Sequence, residues 1–406
     1  MRVVLSTYGS RGDVEPLVGL AVRLRELGAE VRLCAPPDED FARRLADVGV
    51  PLLPFGPSAR ALTKAAPQLP PSGLPRRAAE IIAGQLDVLP AAAEGCDVLV
   101  AAAGILPAVA GARSVAEKLG IPSVCVTFQQ LTLPSPGRRP LAYPGRPLPE
   151  DVTDNRVLWD LDAQHINTLF GEALNTNRAS IGLPPVDDVR SYVYGDRPWL
   201  ATDPTLDPWQ ETPGLDVVQT GAWSLPDERP LPAELLTFLE AGEAPVYVGF
   251  GSMPMHESAD VAQVAVEAVR AQGRRVLVAR GWADLTLIDG QDDCFAVGEA
   301  NHQALFARVA AVVHHGGAGT TATATRAGAP QVVVPQLADQ PYWAGRVADL
   351  GIGAAHDGPT PTYESLSAAL DIALAPKTRT RATEVAGAML TDGATVAAKR
   401  LLDAVA

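Results

Sequence analysis

The stretch 311–345 constrains the fold of this chain more than any other. Its run Ala311-Val312-Val313-His314-His315 is short, apolar and β-branched, the composition of a strand buried in a parallel sheet. Gly316-Gly317-Ala318-Gly319-Thr320-Thr321 then permits a tight turn, and TTATATRAG predicts a helix that stops at Gly328. A second apolar run, QVVVP, delivers Asp339 and Gln340 to the same sheet edge. The first turn of such a helix carries unpaired N–H groups at the positive end of the helix dipole, which suits an anion such as a diphosphate. Glycine there admits phosphate oxygens to backbone that a Cβ would shield. A carboxylate–amide pair beside that seat suits a sugar joined to a nucleoside diphosphate. A glycine-rich turn with no ligand is the alternative, and the adjacent Asp-Gln pair argues against it.

Strand-like and helix-like segments alternate through the first half: RVVLSTY, VEPLVGLAVRLREL, EVRLCAP, EDFARRLADV, DVLVAAA, LPAVAGARSVAEKLG and PSVCVTF. That order predicts a parallel sheet covered by helices on both faces. The pattern restarts at PVYVGFGS, so the expected class is α/β with two Rossmann-like halves. With 406 residues, each half can bury its own core. The expected division is residues 1–203, a polar, proline-bearing linker at 204–216, a second domain at 217–388 and an amphipathic C-terminal helix within 389–406. Pro57–Pro75 and Pro134–Pro149 show no secondary-structure period. Long loops inside compact domains often carry function, so both read as acceptor-binding loops, with tolerated surface insertion the alternative.

Apolar residues make up 47% and charged residues 20%, as in an ordinary globular protein. The net charge of −14 argues against nucleic acid or an anionic membrane as partner. Cys34, Cys96, Cys125 and Cys294 are scattered, which fits inert thiols in a reducing compartment. No run reaches transmembrane length and no signal peptide precedes the first strand, so a cytoplasmic monomer without membrane insertion is expected.

HHGGAGTT followed by ADQPYWAGRVADLG resembles the C-terminal signature of family 1 glycosyltransferases. STYGSRGDVEPLVGLAVRLRELGAEVRLCAPP, RSVAEKLGIP, IGLPPV, TGAWSLPDERPL and GRRVLVARGWADL are similar to the actinobacterial members that build vancomycin-type glycopeptide antibiotics. The resemblance spans essentially the whole chain. It implies a GT-B fold, with two Rossmann-like domains facing across a deep cleft and the C-terminal helix packed back on the first. It also implies a TDP- or UDP-sugar as co-substrate and a natural-product acceptor, a glycopeptide aglycone before an aromatic polyketide. No further cofactor is expected.

Transfer requires a stabilised leaving diphosphate, an oriented sugar and a deprotonated acceptor hydroxyl. Asp13 follows the first strand at the sheet edge where α/β folds place ligands, with Gly9 and Gly12 allowing close approach. Many relatives carry His in a G-H-V-x-P context as general base; here G-D-V-E-P puts Asp13 there. A carboxylate of pKa ~4 is a weaker base than His at ~6.5, and suits a phenol of pKa ~10 better than an alkyl alcohol. Capping of the following helix is the alternative role for Asp13. By the resemblance, Asp339 and Gln340 hold the sugar hydroxyls, although Asp339 is a rival base. Ser10, Gly12, Ser252, His315, Gly317, Gly319 and Thr320 are expected around the diphosphate. Trp282, Val297 and Glu299 are expected at the nucleoside, against a core-edge tryptophan and a solvated carboxylate as alternatives. His314 reads as a packed strand-end residue, because adjacent strand residues face opposite ways. The D-x-D spacings at Asp38–Asp40 and Asp160–Asp162 lack further ligands, so no metal is expected. No second carboxylate is placed as a nucleophile, which favours inversion. A nucleotide-sugar epimerase would need no acceptor loops, and a dinucleotide oxidoreductase would need the G-x-G-x-x-G that the first turn lacks.

Overall fold

Val3, Val4 and Leu5 are all fully buried, as a strand covered on both faces requires. The computed structural model describes residues 1–65, 71–102, 105–250, 258–280 and 291–405. Among these, β1 (Arg2–Ser6), β2 (Glu30–Ala35), β3 (Leu52–Pro54), β4 (Val98–Ala102), β5 (Ser123–Thr127), β6 (Trp199–Leu200) and β7 (Val218–Gln219) form one sheet in the order β3-β2-β1-β4-β5-β6-β7. A second sheet runs β10-β9-β8-β11-β12-β13, from β8 (Val246–Gly249), β9 (Val276–Ala279), β10 (Cys294–Val297), β11 (Ala311–His314), β12 (Gln331–Val333) and β13 (Gly353–Ala355). Neighbouring strands in both sheets are parallel. The expected α/β class with two parallel sheets is what the chain forms.

Alternation along each strand splits its side chains between two cores. In the first sheet, Val4 packs with helices Leu74–Ala93, Leu106–Leu119 and Asn155–Ser180, while Val3 and Leu5 pack with helix Arg11–Glu26. In the second, Val246 and Val248 face helices Ser258–Ala271 and Tyr363–Ala373, and Tyr247 faces helices Ala233–Glu240 and His302–Phe306. No helix among the described residues is long and apolar enough to cross a membrane.

The chain groups into two compact units, one of Met1–Pro204, Pro208–Leu225 and Leu390–Ala406, the other of Thr205–Asp207 and Pro226–Met389. The stretch 204–216 therefore does not serve as one linker. Three of its residues belong to the second unit, and Pro208–Leu225 returns to the first to add β7 to that sheet. The expected irregular stretch Pro57–Pro75 contains helix Ala59–Ala65, and residues 66–70 lie outside the described set. Its start is capped from a distance: Asp38 accepts from Ser58 Oγ at 2.7 Å, Ala59 N–H at 2.8 Å and Arg60 N–H at 3.0 Å. That is the structural use of the first D-x-D. In the second, Asp162 forms a buried ion pair with Arg190 at 3.2 Å. Pro134–Pro149 is irregular but tethered: Trp159 Nε1–H donates to Ser135 and Arg138 carbonyls at 2.8 Å, and Arg139 donates to the Pro149 carbonyl at 2.8 Å.

Helix Gly393–Val405 packs Ala394, Ala397, Ala398 and Leu401 into the core shared with helix Arg11–Glu26. Its first residue sits against the Gly221 turn, where a Cβ on Gly393 would lie 2.5 Å from the Gly221 carbonyl carbon and 2.6 Å from the Ala222 oxygen. Gly393→Ala should force this helix off its seat and destabilise the first unit by about 1–3 kcal/mol, the usual range for overpacking. Urea unfolding of the two proteins tests this; an unchanged midpoint contradicts it.

Candidate active site

In each sheet, the chain winds outward from one strand and then reverses direction beside it. The reversal lies between β1 and β4 in the first sheet and between β8 and β11 in the second, the positions where open α/β sheets leave a crevice at their C-terminal ends. Tyr8–Asp13 follow β1, and His315–Thr320 follow β11. Ser252 follows β8 in sequence, but it and Trp282 lie outside the described residues.

After β1, Ser10 caps helix Arg11–Glu26 in a reciprocal box: its hydroxyl accepts from Gly12 N–H at 3.3 Å, and its own N–H donates to Asp13 Oδ2 at 2.7 Å. Asp13 is half-buried there. A Cβ on Gly9 would lie 2.5 Å from Asp13 Cγ, so glycine at position 9 makes the room that this carboxylate occupies. Asp13 is thus a capping residue, at the third helical position and not the cap itself. Ser10 and Gly12, expected beside the diphosphate, build this cap. With its donors engaged and a carboxylate in its first turn, this helix end is a poor anion seat.

The helix after β11 is built the opposite way. Gly317 is the N-cap of Ala318–Arg326 and has no side chain to cap it, so the N–H groups of Ala318, Gly319 and Thr320 have no partner within the helix. Around Gly319 a Cβ would meet nothing within 4 Å, so the seat is open. His315 is half-buried just before it. Its Nδ1 is buried with no hydrogen-bond partner, and its Nε2 lies 2.7 Å from where a Cβ on Gly317 would stand. His314 is fully buried and hydrogen-bonds Gln331 Oε1 at 3.0 Å and Gly316 N at 3.1 Å. Burial pushes both imidazoles down, His314 to about 3 and His315 to about 4.

Gly316 joins this turn to the Asp-Gln pair. Its φ is +90°, and a Cβ on it would lie 2.7 Å from Val333 Cγ1 and 3.2 Å from the Gln340 carbonyl oxygen. Gln340 is buried, and its Oε1 accepts from Gln336 N–H at 2.7 Å and Leu337 N–H at 3.2 Å. Asp339 Oδ2 accepts from Trp343 Nε1–H at 2.7 Å. Burial raises the Asp339 pKa above the ordinary carboxylate value, and the Trp343 bond opposes that shift. Trp343 is itself packed by Leu206 and Met389, and Tyr342 OH bonds Asp207. Ala338, at φ +56°, is the one non-glycine residue with positive φ among the described residues, and it aims the chain into the pair. Neither Ala338 nor Trp343 stands out as a site residue in the sequence. The D-x-x-x-W spacing, which puts both side chains on one helix face, is the available signal for Trp343.

The expected nucleoside residues are less well placed. Val297 buries its side chain in the core and its carbonyl accepts from Arg280 N–H at 2.9 Å, leaving the exposed Gly298 as the open backbone there. Glu299 is exposed and pairs with Arg229 at 3.5 Å. A cavity of about 190 Å³ between helix Val189–Tyr194 and the turn at Thr212–Leu215 contains none of the expected site residues.

The depressed imidazoles have a consequence for acid stability. An unfolded histidine binds a proton near pH ~6.5, while these two stay neutral until about pH 4 and 3. Their contribution is therefore complete above about pH 6.5 and falls with pH below it, by up to ~1.4 kcal/mol per pH unit for fully buried His314. Thermal melting between pH 7.5 and 5 should show this loss, and His315→Asn should reduce it; an identical loss in that variant contradicts the assignment.

The chain matches the glycosyltransferase family 28 N-terminal domain over residues 3–133 and the erythromycin biosynthesis protein CIII-like C-terminal domain over residues 293–402. It is 58% identical to the vancomycin aglycone glucosyltransferase of Amycolatopsis orientalis over 405 residues, covering 100% of this chain and 98% of that protein. It is 53% identical to the dTDP-epi-vancosaminyltransferase of the same organism over 389 residues, covering 95% and 93%. The glycosyltransferase of kitacinnamycin superposes with a TM-score of 0.73 over 100% of this chain and 98% of its own, at 20% identity, which shows the shared fold. With two parallel-sheet units and relatives matched end to end, the chain belongs to the family 1 glycosyltransferases, in the vancomycin-type group, and is a transferase of GT-B fold.

Proposed function

We propose that this enzyme moves a sugar from a TDP- or UDP-sugar to a hydroxyl of a glycopeptide aglycone, with inversion at the anomeric carbon. The observation that carries this reading is the convergence, around Gly316, of an uncapped helix end with the Asp339–Gln340 pair. The names of the relatives support the acceptor class, one acting on vancomycin aglycone, and one name specifies a dTDP-linked sugar.

In this mechanism Asp13 takes the proton of the acceptor hydroxyl while its oxygen attacks the anomeric carbon. The bond from that carbon to the diphosphate oxygen breaks, and the electron pair leaves with the diphosphate. The N–H groups of Ala318, Gly319 and Thr320 receive that charge, with His315 donating as a neutral imidazole and Ser252 adding its hydroxyl. Asp339 and Gln340 hold the ring hydroxyls, while Trp282 and the backbone beside Val297 and Glu299 meet the nucleoside. The hydrogen bond from Ser10 N–H keeps Asp13 in one orientation. No divalent metal enters the scheme.

Asp13→Asn separates capping from base catalysis, because the amide oxygen still accepts from Ser10 N–H. Turnover should fall roughly 10²- to 10⁴-fold with the melting temperature unchanged. Asp339→Asn should chiefly raise the donor KM. Near wild-type turnover in Asp13→Asn, with turnover abolished and donor binding intact in Asp339→Asn, would exchange the two roles. The acceptor class is tested by incubating the enzyme, with and without EDTA, with TDP- and UDP-glucose and a glycopeptide aglycone. A single hexose mass increment of inverted configuration, insensitive to EDTA, is expected. Turnover of a phenolic polyketide alongside none of any glycopeptide aglycone overturns the acceptor assignment.

A further inference from the structure

We infer that His314 is a positioning residue for the diphosphate seat, holding the Gly316 peptide and, through a buried polar relay, the helix that presents the seat. The inference rests on the reading of that helix end as the diphosphate site.

The hydrogen positions along the relay follow from one another. His314 Nδ1 accepts from Gly316 N–H at 3.1 Å, so the proton of the neutral ring sits on Nε2 and is donated to Gln331 Oε1 at 3.0 Å. That fixes the Gln331 amide, whose Nε2 donates to Thr325 Oγ1 at 2.9 Å. Thr325 then donates its hydroxyl proton to the Thr321 carbonyl at 2.8 Å. Each member is essentially solvent-free: His314, Gln331 and Thr321 are 0% exposed and Thr325 1%. The relay ties β11 and the turn to β12 and to the helix beyond that turn.

A leucine at position 314 would extend the strand core without needing polar partners. Histidine instead supplies an acceptor within reach of the peptide two residues on. That peptide needs holding: Gly316 has a wide conformational range, and its rotation would turn both the His315 ring and Gly317 away from the seat. The bond to His314 also takes the Gly316 N–H out of the anion-binding set and leaves that task to residues 318–320. Loss of His314 should therefore weaken nucleotide binding by loosening the seat, while the chemical step, once the donor is bound, is retained.

Two variants and one spectroscopic measurement test this. In His314→Leu the acceptor is gone; in His314→Asn a side-chain oxygen can still accept from the N–H two residues on. Calorimetry with TDP and UDP, and steady-state kinetics, should show about tenfold weaker binding and higher donor KM in His314→Leu, with kcat within about twofold, and substantial recovery in His314→Asn. In the wild-type enzyme, heteronuclear NMR of the imidazole nitrogens should find His314 as the Nε2–H tautomer with no titration between about pH 5 and 8. A folded His314→Leu that binds nucleotide as tightly as wild type, or an Nδ1–H tautomer in the wild type, overturns the inference. Should His314→Leu fail to fold, Thr325→Val, which removes the acceptor for Gln331, replaces it with the same expected direction. Failure of the wild-type enzyme to bind either nucleotide defeats the diphosphate reading itself, whereas the other outcomes bear on His314 alone.

Discussion

At Gly316 the backbone takes a φ of +90° and passes so close to Val333 and Gln340 that no side chain fits. Gln340 reaches the glycine-rich turn because of this approach. A Cβ at this position would oppose both the conformation and the contact. The rest of the arrangement depends on it: the turn that carries His315 and the open helix end meets the segment of Asp339 and Gln340 at this point. Ala338, held at positive φ without being glycine, is the second place where backbone conformation yields to the arrangement.

The two strand–helix turns look alike in sequence and differ in how the helix end is capped. Both follow a strand at a reversal of strand order, and both contain glycines. After β1, Ser10 and Asp13 satisfy the helix end and place a carboxylate in its first turn. After β11, the end is left unsatisfied and the adjacent imidazole is neutral. A helix end serves an anion when its donors are vacant, and a capped one carrying a carboxylate suits proton chemistry better. The difference between the turns depends on which residue occupies the cap.

Much of this arrangement is legible in the amino-acid sequence. The β-branched runs announce buried parallel strands, and HHGGAGTT with Asp339-Gln340 announces where the open helix end lies. His314 is separable from His315 because strand residues alternate in facing. Other partnerships are not legible there, for identifiable reasons. Asp38 stands at the start of its own helix, Glu39–Asp47, while its carboxylate bonds the first N–H groups of Ala59–Ala65, about twenty residues away. The reciprocal bond from Ser10 N–H to Asp13 exists only once the turn is folded. Val297 sits at a strand end, but the packing of its sheet turns its side chain inward.

Sequence alone determined the α/β class, the restart of the pattern after the first half, and the identity of the residues at each strand–helix turn. These are local matters: side-chain period, glycine conformational freedom and the spacing of apolar runs act within a few residues. Tertiary structure decided the return of Pro208–Leu225 to the first sheet, the support of Trp343 by Leu206 and Met389, and the relay from Gly316 to Thr321. Each of these depends on groups far apart in the chain that satisfy one another once water is excluded. Local periodicity carries no record of which distant group will be the partner.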